Sequence, residues 1–168
     1  MTIFLLGMPG SGKTTIGMAL ADKLQLPFFD TDAIIADIEG NSVEAIFENQ
    51  GEMYFRNLEK ELIQNWKLTN VVVATGGGLP CFNDLITNLN QKGTTVWLQT
   101  PLDTLMARLM DAEEKRPLIA HKSAKEIKST LQLMIKNRKE AYQQAQIRIK
   151  AEDQPEDTVK KILRKLYA

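Results

Sequence analysis

Cysteine and histidine are almost missing from this chain. Among 168 residues there is one of each, Cys81 and His121. A single cysteine cannot close an internal disulfide, which favours a reducing compartment, and Cys81 reads most simply as a small residue packed near a loop. A single histidine excludes a multi-histidine metal site. Net charge is also lacking: 21 Lys+Arg stand against 21 Asp+Glu, so no global field draws the chain to nucleic acid or to an anionic membrane. No apolar run approaches the length of a membrane span, and the apolar segment after Met1 carries no basic leader, so a cytoplasmic protein is expected. Repeats and low-complexity linkers are absent as well. With 43% hydrophobic and 25% charged residues, the composition fits one compact domain over 1–168.

What is present begins at the second residue. The apolar run Thr2-Ile3-Phe4-Leu5-Leu6 leads into Gly7-Met8-Pro9-Gly10-Ser11-Gly12-Lys13-Thr14, and a segment of helical spacing follows. This is G-x-x-x-x-G-K-[ST] in a strand–loop–helix setting, a phosphate-binding loop. Its glycines let backbone N–H groups curl inward onto phosphate oxygens, and the helix start adds unpaired donors and a positive dipole end. Gly10, Ser11, Gly12, Lys13, Thr14 and Thr15 are the expected nucleotide contacts. Lys13 is expected on the β/γ-phosphates and the Thr14 hydroxyl on Mg²⁺.

Strand and helix signals then alternate, as in a parallel α/β sheet. Strands are predicted at 2–6, 27–30, 71–75, 94–99 and 147–150. Helices are predicted at 13–24, 31–39, 42–68, 82–91, 101–110, 123–145 and 155–166. Two segments fall outside the sheet logic. The helical insertion at about 31–67 is placed to bind a substrate. The charged segment at about 111–122, which carries Arg116, is placed to act as a closing lid.

Several side chains could complete the chemistry. Asp30-Thr31-Asp32 follows the second strand, where open α/β sheets bind ligands. One carboxylate could serve a metal and the other a substrate hydroxyl, or the pair could simply cap a helix. Arg56 and Glu59, three apart, form either a helix-surface ion pair or a ligand clamp. Gly76-Gly77-Gly78 ends the third strand and is expected to bring bare backbone to a ligand. Arg108, Arg116 and Arg138 could supply the cations that a transferring phosphoryl group needs, or planar donors for a carboxylate.

Taken together, the phosphate loop, Asp30-x-Asp32, Gly51-Glu52-x-x-Phe55-Arg56-x-x-Glu59, Gly76-Gly77-Gly78, Arg116-Pro117-Leu118 and Arg138-x-x-x-Tyr142 resemble the shikimate kinase family in order and spacing. That resemblance implies a P-loop kinase fold like that of nucleoside monophosphate kinases: three αβα layers around a five-stranded parallel sheet of order 2-3-1-4-5. It implies ATP-dependent phosphorylation of the shikimate 3-hydroxyl, with ATP and Mg²⁺ as cofactors. Asp32, Arg56, Gly77, Gly78 and Arg138 would hold shikimate, with Asp32 accepting from the reacting hydroxyl. Lys13 and Arg116 would stabilise the transferring group, and Thr14 with Asp30 would serve Mg²⁺. Arg108 and the 151–155 loop, chiefly Gln154, would flank adenine. A monomer is expected, with no nucleic-acid or membrane partner. The family's usual Ala-Asp pair after Tyr142 is replaced here by Gln143-Gln144-Ala145-Gln146, and position 139 holds Lys139. The competing readings are another small-molecule kinase such as gluconate kinase, or an ATP-dependent switch protein.

Overall fold

A computed structural model describes residues 1–111 and 122–168. Its centre is strand β1 (Thr2–Leu6), all five residues of which are buried. Side chains alternate across a strand, so Ile3 and Leu5 face one way and Phe4 and Leu6 the other. Each of these four is fully buried, contributing roughly 1.5–3 kcal/mol. Around β1 lie β2 (Phe28–Asp30), β3 (Val71–Ala74), β4 (Thr94–Gln99) and β5 (Ile147–Lys150). Every pairing is parallel and the order is β2-β3-β1-β4-β5.

Two apolar layers cover this sheet. On the Ile3 and Leu5 face pack α1 (Lys13–Leu24) and α8 (Pro155–Leu166), through Ile16, Leu20, Val159 and Ile162. On the Phe4 and Leu6 face pack α4 (Glu52–Gln64), α5 (Leu85–Lys92), α6 (Leu102–Asp111) and α7 (Ala124–Gln143), through Ile63, Leu89, Leu105 and Leu131. The three-layer α/β architecture expected of the sequence is therefore present. The chain leaves β1 toward β2 and β3 and later returns to β4 and β5 on its other side. That reversal opens a crevice at the carboxyl end of β1, where ligands bind in such sheets.

The insertion carries α2 (Thr31–Glu39) and α3 (Val43–Gln50) before α4, with a small cluster of its own formed by Ile35, Ile46 and Phe55. The single helix predicted at 42–68 is in fact two. Gly51, at φ 84° and ψ 170°, stands between them in a conformation open essentially to glycine alone. The helix predicted at 82–91 starts later, after a 3-10 turn at Leu79–Cys81. Helix α7 begins at a capping box: Ser123 Oγ accepts from Glu126 N (3.3 Å), and Ser123 N donates to the Glu126 carboxylate (2.7 Å). Residues 112–121, and with them Arg116, His121 and most of the expected lid, lie outside the described residues. Among the described residues no helix is long and apolar enough to cross a membrane.

Candidate active site

The phosphate loop runs from β1 into α1. Gly7, Gly10 and Gly12 have φ of 154°, 81° and 88°, angles that L side chains rarely adopt, so the curl of the loop depends on these three positions. Ser11 N donates to Met8 O at 3.0 Å and tightens the turn. Lys13 is only 8% exposed. Its Nζ donates to Gly7 O (2.8 Å) and Met8 O (2.9 Å), so the amine is held within the loop. Thr14 and Thr15 stand exposed on the first turn of α1. From α6, Arg108 Nη1 donates to Gly10 O at 3.1 Å, which fastens that arginine to the loop.

Asp30 caps a helix, one of the alternatives open to it, and also meets the start of α1. Its Oδ1 caps α2 by accepting from Asp32 N (3.0 Å) and Ala33 N (3.5 Å), while its Oδ2 accepts from Thr14 Oγ1 at 3.1 Å. A hydroxyl and a carboxylate side by side at the start of α1 are hard oxygen donors of the kind Mg²⁺ takes. Among the described residues no group of three or more His, Cys, Asp or Glu could hold a metal unaided.

Next to this loop a second cluster gathers around Gly76-Gly77-Gly78. None of these glycines has a positive φ, and the Gly76 N–H is already donated to Thr31 Oγ1 at 2.8 Å. Their requirement is steric. A Cβ on Gly76 would lie 2.6 Å from Asp32 Oδ1 and 2.9 Å from Glu59 Oε1. On Gly77 it would lie 2.9 Å from Arg138 Nη1 and 3.1 Å from Pro9 Cδ, and on Gly78 it would lie 2.5 Å from Arg56 Nη2. Each glycine thus clears space for one or two charged side chains, and Gly77 also lets the turn lie against the phosphate loop. The expectation of bare backbone offered to a ligand is corrected accordingly at Gly76, whose N–H is taken.

Arg56 and Glu59 are not a surface pair. Glu59 is fully buried, and its Oε2 accepts from Arg56 Nη1 at 2.7 Å. Burial, helped by the nearby Asp32 charge, pushes the Glu59 carboxyl up to about 7, against the pull of the Arg56 and Arg138 guanidiniums. Glu52 accepts from Arg56 Nη2 at 3.1 Å, and the Phe82 ring lies 4.3 Å from the guanidinium carbon, so the plane of Arg56 is fixed on several sides. Arg138 Nη1 is buried with no hydrogen-bond partner among the described residues, although such a group costs about 1–3 kcal/mol unless paired. A bound anion would supply the acceptor. One turn on, the Tyr142 hydroxyl donates to Gly77 O at 2.6 Å and anchors the glycine turn to α7.

The structure therefore brings Gly10 to Thr14, Asp30 and Arg108 together, and draws Asp32, Arg56, Gly77, Gly78 and Arg138 into an adjoining cluster. Gln154 is the exposed residue preceding α8, beyond β5, and no hydrogen bond ties it to the phosphate loop. Glu52, Glu59, Phe82, Thr31 and Tyr142 support the cluster; the sequence offered Glu59 as half of an ion pair or clamp with Arg56, and gave Thr31 and Phe82 no role. The three-residue spacing from Arg56 was the signal for Glu59, and its burial is what one sequence does not show. Cys81 also lies here, beside Arg56, Arg138 and Glu59. Burial pushes its thiol up to about 11, so it stays protonated and is no nucleophile.

A phosphate loop at the end of the central strand of a 2-3-1-4-5 parallel sheet, roofed by a separate cluster of arginines and carboxylates, defines a small-molecule P-loop kinase. The chain belongs to the shikimate kinase family, whose model, described as shikimate kinase, matches residues 9–167. A shikimate kinase of Persephonella marina is 42% identical over 163 residues, covering 96% of this chain and 96% of that protein. The crystal structure of shikimate kinase from Bacteroides thetaiotaomicron superposes with a TM-score of 0.91 at 36% identity, over 99% of this chain and 98% of that one. Shikimate kinase from Acinetobacter baumannii, in complex with shikimate, superposes at 0.88 with 31% identity, over 99% of this chain and 92% of that one.

Proposed function

We propose that this chain transfers the γ-phosphoryl group of ATP to the 3-hydroxyl of shikimate, giving shikimate 3-phosphate and ADP. The observation that carries the reading is the buried, unpartnered Arg138 Nη1 beside Arg56 on a glycine turn that touches the phosphate loop. Two guanidiniums, one with a buried Nη1 that lacks a hydrogen-bond partner among the described residues, suit a carboxylate and its neighbouring hydroxyls.

In this reading Arg56 and Arg138 orient the acid, with Gly77 and Gly78 leaving room for them, and Asp32 accepts the proton of the attacking hydroxyl. Gly10, Ser11, Gly12, Lys13, Thr14 and Thr15 bind the phosphates, Arg108 and Gln154 flank the base, and Lys13 and Arg116 balance charge on the transferring group. Thr14 and, through water, Asp30 would hold Mg²⁺, which when bound neutralises phosphate charge. Because the transition state of phosphoryl transfer is loose, these groups act by positioning and electrostatics more than by covalent chemistry. The 31–67 insertion serves the acid and the 111–122 segment closes over the phosphates, all within one domain. We take the protein to be a cytoplasmic monomer without nucleic-acid or membrane partners.

An ADP-release assay with and without shikimate tests this, with phosphorus NMR to identify the product and gluconate as the control acid. Shikimate-dependent turnover is expected. ADP release indifferent to shikimate points to a switch protein and overturns the reading, and preference for gluconate overturns it equally.

A further inference from the structure

A cleft of about 440 Å³ opens beside the site, sharing Met8 with the phosphate loop and Tyr142 with the acid cluster. It lies at the carboxyl end of β4, between the start of α6 and the later turns of α7. Apolar side chains form its walls, chiefly Met8, Trp97, Ile135 and Tyr142, and Lys139 and Lys150 stand at its rim. Its volume falls in the range of small-molecule sites, about 300–1,000 Å³. Trp97 and Tyr142 pack with ring centroids 5.6 Å apart, so one wall is aromatic. Among the described residues no acidic side chain lines the cleft and neither lysine forms an ion pair. Lys13, Asp32, Arg56, Arg108 and Arg138 are not among its lining residues.

We propose that this cleft binds a small ring-bearing carboxylate, its ring against Trp97 and Tyr142 and its anionic group between Lys139 and Lys150, as an effector distinct from either substrate. The apolar walls call for a desolvated ring, and two cations with no ion-pair partner among the described residues call for an anion. The site is also wired to the chemistry. Tyr142 holds Gly77 O through its hydroxyl at 2.6 Å, and Met8 O accepts from Lys13 Nζ at 2.9 Å. An occupant that touches both side chains therefore bears on the acid cluster and on the phosphate loop at once. Coupling of this kind is reciprocal, so shikimate must change the occupant's affinity by the factor by which the occupant changes shikimate's.

The test is calorimetric titration of the whole chain with naphthoate, beside naphthalene methanol as the neutral isostere, with shikimate saturating so that the two arginines are blocked. Because it reads binding, not turnover, it stands apart from the proposed reaction. Naphthoate is expected to bind, and the neutral isostere about tenfold more weakly. Both lysines are exposed, so Lys139→Gln/Lys150→Gln folds; it is expected to weaken naphthoate about tenfold while leaving the neutral compound unchanged. Ile135→Trp, which fills the cleft, is expected to abolish binding of both. The proposal is overturned by absence of binding, by affinity indifferent to the lysines, or by an apparent Kd that climbs with shikimate or ATP without a plateau, which is competition at the substrate sites.

Discussion

Two glycine-rich turns leave neighbouring strands of this sheet, and they use glycine for different reasons. After β1, Gly7, Gly10 and Gly12 are needed for their backbone angles, all with positive φ. After β3, Gly76, Gly77 and Gly78 have ordinary angles and are needed for the space that a Cβ would take from Asp32, Arg138 and Arg56. The first turn takes its shape from its own backbone, as a phosphate-binding loop requires. The second is a floor on which side chains from α2, α4 and α7 converge, and its function depends on their arrival. A phosphate is bound by whatever surrounds it with N–H groups; recognising one particular acid needs planar, charged side chains held at fixed angles.

The sharpest way to break this contrast is at Lys13, whose amine the phosphate loop holds against its own carbonyls. Lys13→Ala is expected to lower kcat by about 10²–10³, or ~3–4 kcal/mol, with the fold retained by circular dichroism. A folded, fully active variant would show that the backbone cradle suffices without the cation.

Next in size is the buried carboxylate of the second cluster. The Glu59 carboxyl titrates near 4.5 in the unfolded chain and at about 7 in the folded one, so between these values the folded state binds more protons. Stability contributed by that proton is full below pH 4.5 and is lost as pH rises through 7, by up to ~3 kcal/mol. Glu59→Gln mimics the protonated group, so the variant is expected to gain in melting temperature relative to the parent between pH 5 and pH 8. A constant difference across that range would mean that Arg56 keeps Glu59 ionised throughout.

Arg138→Lys keeps the charge but removes the fork. It is expected to raise KM for shikimate by about 10–100-fold, corresponding to ~1.5–3 kcal/mol, with KM for ATP nearly unchanged. If ATP binding suffers and shikimate binding does not, the division between the two turns is wrong.

The smallest effect separates the two uses of glycine directly. Gly78→Ala places a Cβ against Arg56, so removing that side chain should relieve it. The double variant Gly78→Ala/Arg56→Ala is expected to bind shikimate no worse than Arg56→Ala alone, a coupling of about 1–2 kcal/mol. Gly12→Ala, strained through its φ of 88°, is expected to show no such relief when its neighbour is trimmed by Ile16→Ala. Additive losses at Gly78 would remove the steric account.

Much of the molecule was legible from contiguous residues. The run Thr2–Leu6, the phosphate loop and the helix after it are encoded within a single stretch, and the alternation of strands and helices requires a parallel sheet with covered faces. Motif order and resemblance singled out Asp30, Asp32, Arg56, Arg138 and the glycine run, and the structure brings these residues near one another. Neither order nor resemblance could say what they do to one another. That Asp30 caps α2 and also pairs with Thr14, that Glu59 is buried under Arg56, and that helix 42–68 breaks at Gly51 were decided in three dimensions. The reason is physical. Periodicity and turn chemistry are properties of neighbours along the chain, and a sequence displays them. Steric clearance, burial and the pKa shift that burial causes are properties of the space between distant segments: Gly78 meets Arg56, and Gly77 meets Arg138, only after the sheet has brought α4 and α7 to the end of β3.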